Sequence, residues 1–213
     1  MKTSFVARQA PLRYLLGSAL AASALIASGN VSASPVITGF QLLDGTAGTL
    51  DSAMVNNLTN TVDISKTFES INSMTIRLTV GHGTGSGGPF AFTETINNMT
   101  GKEWSDYHIA LSNAPTGVGF NNFANATMGG FTLEPGPASG SDKLNFSGGT
   151  LANAAMGTAN FLLSLNDPGK GKSYTVDITQ TPTTSAVPIP MAGWLFGSGL
   201  MGLGGALRRK VKA

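Results

Sequence analysis

His82 and His108 are the side chains of this chain best suited to proton transfer or metal ligation near neutral pH, and their neighbours in sequence give them little to work with. Neither has a second histidine at i+2 or i+4, a spacing that would build a zinc site. A hydrolase would need one of them beside a carboxylate and a nucleophile. Ser86, in Gly85-Ser86-Gly87-Gly88, lies between two predicted strands and not at a strand-to-helix elbow. The glycine loop from Gly81 to Pro89 lacks the Lys-Ser/Thr pair of a phosphate-binding loop and opens no helix. Asp44-Gly45 and Asp167-Pro168-Gly169 offer one acid each where a calcium loop needs several oxygen ligands, so both read as turns. The chain has no cysteine, which removes thiol catalysis, iron–sulfur clusters and Cys-ligated zinc. The prediction is no catalytic residue, no metal and no cofactor, with a secreted hydrolase as the remotest alternative.

Sugar binding is the nearer alternative. Trp104, Tyr107, Phe120 and Phe123 could stack on sugar rings if they stood exposed on a sheet, and Trp104 and Tyr107 are the candidate sugar contacts. The opposing reading places Trp104 and Tyr107 in the core beside a strand start, where large aromatics contribute most. Four Asn-x-Ser/Thr triplets, beginning at Asn57, Asn98, Asn125 and Asn145, mark surface turns more safely than glycans in a chain this rich in Ser, Thr and Asn.

The elements that would position these groups are strands. Met74, Ile76, Leu78 and Val80 alternate with Thr75, Arg77 and Thr79, which puts apolar side chains on one face and polar ones on the other. The same period appears over 62–68, 90–96, 107–111, 163–165 and 174–178, with weaker runs at 36–42, 118–123, 128–133 and 144–146. Gly-, Asn- and Pro-rich turns separate them, among them Asn113-Ala114-Pro115-Thr116-Gly117 and Pro168-Gly169. This spacing predicts an all-β domain, an antiparallel β-sandwich of about 8–10 strands. The window 44–60 is the one place for a helical turn.

Both ends of the chain read as targeting segments. Lys2, Arg8 and Arg13 precede an apolar stretch over 14–27, and Val31-Ser32-Ala33 forms a small-residue cleavage site before Ser34. Residues 1–33 therefore read as a secretory signal peptide, substrate of signal peptidase and the general secretion machinery. At the other end Val187-Pro188-Ile189-Pro190 leads into an uncharged stretch over 191–207, closed by Arg208, Arg209 and Lys210. Its 17 residues would span about 25 Å as a helix, against a hydrocarbon core of about 30 Å. Six glycines weaken it further, so it suits a transient hold on the inner membrane. The basic cluster fixes the orientation, with everything before it outside.

Once these ends are set aside the charge changes sign. Of thirteen Lys and Arg, three lie in the leader and four follow Leu207, which leaves six against all eleven Asp and Glu, a net charge of −5. An acidic body argues against nucleic acid, which needs a basic stripe. The chain divides into a signal peptide (1–33), one β-domain (34–180), a linker (181–186) and the C-terminal segment (187–213).

The run VPIPMAGWLFGSGLMGLGGALRRK resembles a PEP-CTERM sorting signal of the VPLPA type. Val187, Pro188 and Pro190 match, Ile189 and Met191 replace the usual Leu and Ala, and Trp194-Leu195-Phe196-Gly197-Ser198-Gly199-Leu200 stands intact. The resemblance implies an exosortase substrate, recognised at the Pro motif and cleaved near it, exported by a Gram-negative bacterium that makes exopolysaccharide. The run Asn97-Asn98-Met99-Thr100-Gly101, followed by Trp104, Asp106, Tyr107 and His108, is similar to a segment of exported PEP-CTERM sandwich domains. Leu144-Asn145-Phe146-Ser147-Gly148-Gly149 is similar to a later turn of the same domains. The expectation is a non-enzymatic surface or extracellular-matrix protein, sorted by an exosortase and associated with exopolysaccharide and biofilm. The alternative is a carbohydrate-binding sandwich module.

Overall fold

The computed structural model describes residues 33–121, 125–135 and 142–184. In chain order the strands are β1 (Ala33–Leu42), β2 (Gly48–Asn56), β3 (Thr61–Phe68), β4 (Met74–Thr84), β5 (Phe90–Asn98) and β6 (Asp106–Ser112). They continue with β7 (Gly119–Asn121), β8 (Thr127–Met128), β9 (Thr132–Leu133), β10 (Lys143–Ser147), β11 (Met156–Ser164) and β12 (Ser173–Thr183). A 3-10 turn at Gly45–Ala47, capped by the Asp44 side chain, falls within the window predicted for a helical turn.

The strands form two sheets. The first runs β1-β4-β12-β6-β10-β9, and the second runs β2-β3-β5-β11-β7, with β8 also paired to β11. One continuous apolar core joins the inner faces, drawing on Ile76, Leu78 and Val176 of the first sheet and Val62, Phe92 and Phe161 of the second. Two sheets sharing one core make an all-β architecture consistent with a β-sandwich. The alternation of β4 explains its place: Met74, Ile76, Leu78 and Val80 are all fully buried.

Several details depart from the sequence reading. Twelve strands, not eight to ten, occur among the described residues. The pairing is not wholly antiparallel, because β3 and β5 run parallel, from Thr61 opposite Ala91 to Phe68 opposite Asn98. The cause is β4, which lies in the opposite sheet, so the chain leaves after β3 and returns in the same sense. His82 is not in a loop: β4 continues through it to Thr84, because β1 supplies backbone partners for Gly81, His82 and Gly83.

Edge strands expose unpaired backbone groups. Asn57 attends to this on β1, where its Oδ1 accepts from Ile37 N at 2.9 Å and its Nδ2 donates to Ile37 O at 3.0 Å. The contact falls where the β1–β4 register shifts between Ile37 and Gly39.

Candidate functional site

Four polar side chains meet in the middle of the apolar core. In β3 the inward residues are Val62, Ile64, Lys66 and Phe68, and in β5 they are Phe90, Phe92, Glu94 and Ile96. The alternation that buries Phe68 and Phe92 therefore buries Lys66 and Glu94, both with no exposed surface. Facing them, β12 brings Gln180 and β6 brings Tyr107, again fully buried.

The four groups satisfy one another. Lys66 Nζ donates to Glu94 Oε2 at 2.6 Å and also contacts Gln180 Oε1. Gln180 Nε2 donates to Glu94 Oε1 at 2.8 Å, and the Tyr107 hydroxyl donates to Gln180 Oε1 at 2.6 Å. One carboxylate thus holds an amine on one oxygen and an amide nitrogen on the other. Burial pulls the Lys66 amine below the usual lysine range, against the raising pull of Glu94. Burial, with the Glu94 charge beside it, pushes the Tyr107 phenol well above its ordinary value, so it stays a donor. Removing one partner of such a pair would strand a charge in apolar surroundings, which typically costs about 3–5 kcal/mol.

The cluster was not singled out from sequence, yet its signal is there. A lysine and a glutamate each occupy the apolar phase of a strand whose other inward residues are Val, Ile and Phe. A charge on the buried phase needs a partner opposite.

Trp104 and Tyr107, the candidate sugar contacts, are both fully buried. That corrects the sugar-stacking alternative at these residues, because a ring without an exposed face has none to offer a pyranose. Their rings stack at 5.8 Å and 10°, and Phe68 from the opposite sheet meets Trp104 edge-on at 5.2 Å and 84°. Phe120 is buried as well, and Phe123 lies outside the described residues. The exposed large apolar side chains of the described residues are Leu43, Met54, Leu58, Ile71, Met99 and Met156, none of them aromatic.

The segment that leads to Trp104 is a folded turn built on Asn98. Its Oδ1 accepts from the Thr100 backbone at 3.1 Å and the Thr100 hydroxyl at 2.7 Å. Its Nδ2 donates to the carbonyls of Lys102, Leu151 and Ala152 at 2.8, 3.0 and 3.1 Å. Trp104 Nε1 then donates to Thr100 Oγ1 at 3.1 Å. The motif explains itself structurally, since Asn98 and Thr100 close the turn that delivers two rings to the core. Asn98, first residue of one Asn-x-Thr triplet, is itself buried, which leaves no room for a glycan.

The histidines stand apart. His108 Nδ1 is 3.0 Å from Asn145 Oδ1, its register partner on β10. His82 Nδ1 lies 2.9 Å from Asp167 Oδ1 at the surface. Asp167 also accepts from Gly169 N at 3.0 Å, and these two contacts hold its carboxyl below the usual range, the backbone one foremost. Asp44 does the same for Thr46 N at 2.9 Å. Both aspartates thus act as turn residues. Among the described residues no three His, Asp or Glu stand together as a metal site.

Ala33, first residue of β1, pairs with Thr84, and Ser34 is buried beside it. Val31 and the residues expected from sequence to direct sorting, Val187, Pro188, Ile189, Pro190, Arg208, Arg209 and Lys210, lie outside the described residues. Among the described residues no helix is long and apolar enough to cross a membrane. No family model, curated protein or solved structure matches the chain.

Proposed function

We propose that the chain is an exported, non-enzymatic surface or extracellular-matrix protein, sorted and cleaved by an exosortase and associated with exopolysaccharide. The observation that carries this reading is the order, at the C-terminus, of the Val187-Pro188-Ile189-Pro190 motif, a marginal uncharged span and a basic cluster. In this reading the Pro motif is recognised, residues 191–207 hold the chain in the inner membrane until cleavage, and Arg208 to Lys210 keep the tail cytoplasmic. Support comes from the body between the two segments. Its first strand opens at Ala33, the last residue of the expected leader, and its last closes at Thr183, three residues into the expected linker and four before Val187. A cysteine-free, acidic body with a continuous core suits a protein that must be stable and soluble outside the cell.

Mass spectrometry of the mature protein, recovered from whole cells and medium of a host that has the sorting machinery, tests it. The expected product begins at Ser34 and ends near the Pro motif. A surface-located form that retains Arg208-Arg209-Lys210 would overturn the sorting reading, and a reporter fused after Gln180 that stays in the cytosol would overturn export.

A further inference from the structure

The core cluster has the parts of an acyl-transfer site with both reactants built into the chain. A lysine amine is the nucleophile, and it touches the side-chain amide oxygen of Gln180. An amide carbonyl is normally inert toward amines for three reasons: the amine is protonated, the oxygen gains negative charge without help, and the leaving nitrogen needs a proton. Each obstacle has an answer here. Burial disfavours the ammonium form of Lys66, and Glu94 Oε2 at 2.6 Å is placed to take its proton. The Tyr107 hydroxyl, 2.6 Å from Gln180 Oε1, donates to the oxygen on which charge would develop. The second oxygen of the same carboxylate, 2.8 Å from Gln180 Nε2, is placed to hand that proton to the departing nitrogen. All four residues are fully buried, which excludes water from the competition and strengthens each electrostatic contact.

We infer that Lys66 and Gln180 become joined by an intramolecular isopeptide bond, with Glu94 as proton shuttle and Tyr107 as oxyanion donor. In this step Lys66 Nζ attacks Gln180 Cδ, and a C–N bond forms. Glu94 accepts a proton from the amine nitrogen. The bond from Cδ to Nε2 then breaks, and the nitrogen takes the proton from Glu94 and leaves as ammonia. No oxidant, metal or cofactor enters the balance: of the two protons that the Lys66 ammonium gives up, one leaves with the ammonia and the other stays on Glu94, which ends as a neutral carboxylic acid. The amide formed is neutral, so the core exchanges a buried amine for an uncharged link. The link ties β3 of one sheet to β12 of the other across 114 residues. In a chain without cysteine it supplies a covalent staple that no disulfide could. The inference is independent of how the protein is sorted.

The test is tandem mass spectrometry on a tryptic digest of the full chain, folded and then denatured. The expected result is a branched species joining the segments around Lys66 and Gln180, lighter than their sum by one ammonia, with no cut after Lys66. Recovery of the two segments as separate peptides, with unmodified Lys66 and Gln180, from protein shown to be folded would overturn the inference. Glu94→Gln keeps the side-chain shape and removes the shuttle, so it should leave the peptides separate. A native yield of branched species in that variant would overturn the role given to Glu94. Tyr107→Phe keeps the ring stack and is expected to form the bond at least tenfold more slowly when chain recovered unfolded from inclusion bodies folds for the first time, followed as ammonia release. An unchanged rate would overturn the role given to Tyr107.

Discussion

Asn98 does more for this fold than its place in a turn would indicate, because one carboxamide answers three backbone carbonyls and two groups of Thr100. Asn98→Asp would turn the donor end into an acceptor facing those carbonyls. The expected loss is about 3 kcal/mol or more of unfolding free energy, read by urea denaturation. Trp104→Phe should cost less, about 1–2 kcal/mol, since a ring still meets Phe68 and the bond to Thr100 is lost. Trp104→Ala should cost about 3–5 kcal/mol. Neither substitution should change any affinity for polysaccharide, because Trp104 has no exposed face. At this scale the sequence was legible where side chains do ordinary things. The core reading of Trp104 and Tyr107 followed from their size and position, and the turn reading of Asp44 and Asp167 from their glycines. Lys66, Glu94 and Gln180 escaped because each looks like the polar member of an alternating strand until the phase of that strand is fixed by its neighbours.

Between elements, β4 and β12 are held on their outer face by a ladder of polar pairs. Thr75 meets Thr179 at 3.0 Å, and Arg77 grips both oxygens of Asp177 at 2.7 and 2.8 Å, with Asn113 also donating to that carboxylate. The bidentate Arg77 contact, helped by Asn113, holds the Asp177 carboxyl below its ordinary value. A carboxyl depressed in the folded state adds stability that is fully present above its unfolded value, about 3.9. The contribution falls away as the pH drops through the lower folded value. Asp177→Asn should therefore lower the melting temperature at neutral pH, and the gap to the native protein should close progressively below about pH 4. Turns offer a sharper comparison. Gly148 has φ +68° with open space around its would-be Cβ, whereas a Cβ on Gly149 would overlap the carbonyl oxygen of Gly130. Gly148→Ala should cost about 1 kcal/mol from its left-handed backbone alone. Gly149→Ala must move backbone and should cost distinctly more, as thermal unfolding would show.

Two elements were hard to see in the sequence for physical reasons. In β2 the register with β3 shifts between Leu50 and Ser52, which breaks the alternation, and most of its side chains are exposed or half-buried on an edge. In β11 the inward residues of the first half are Gly157 and Ala159, small because Leu151 and Met128 pack over that end. Period-two hydrophobicity is therefore visible only from Phe161 onward, and the sequence reading began the strand at 163.

For the molecule as a whole, composition and turn spacing were enough to establish an all-β body with a single core. The mixed pairing was not legible, because it depends on which sheet β4 joins, a choice made by long-range packing. The strand that settles that packing is the last. β12 lies between β4 and β6, paired to β4 from Ser173 to Gln180 and to β6 from Asp177 to Thr183. A chain ended after Lys172 should fail to fold cooperatively, lacking the central strand of one sheet along with the inward residues Val176 and Ile178. Loss of the cooperative thermal transition in that truncation is the measurement. This placement also governs how the protein is born. A polypeptide emerging from the ribosome N-terminus first has β4 and β6 waiting, with their hydrogen-bonding edges open, until nearly everything before residue 184 has been synthesised. It cannot mature by halves, and its first sheet stays unclosed until that strand arrives.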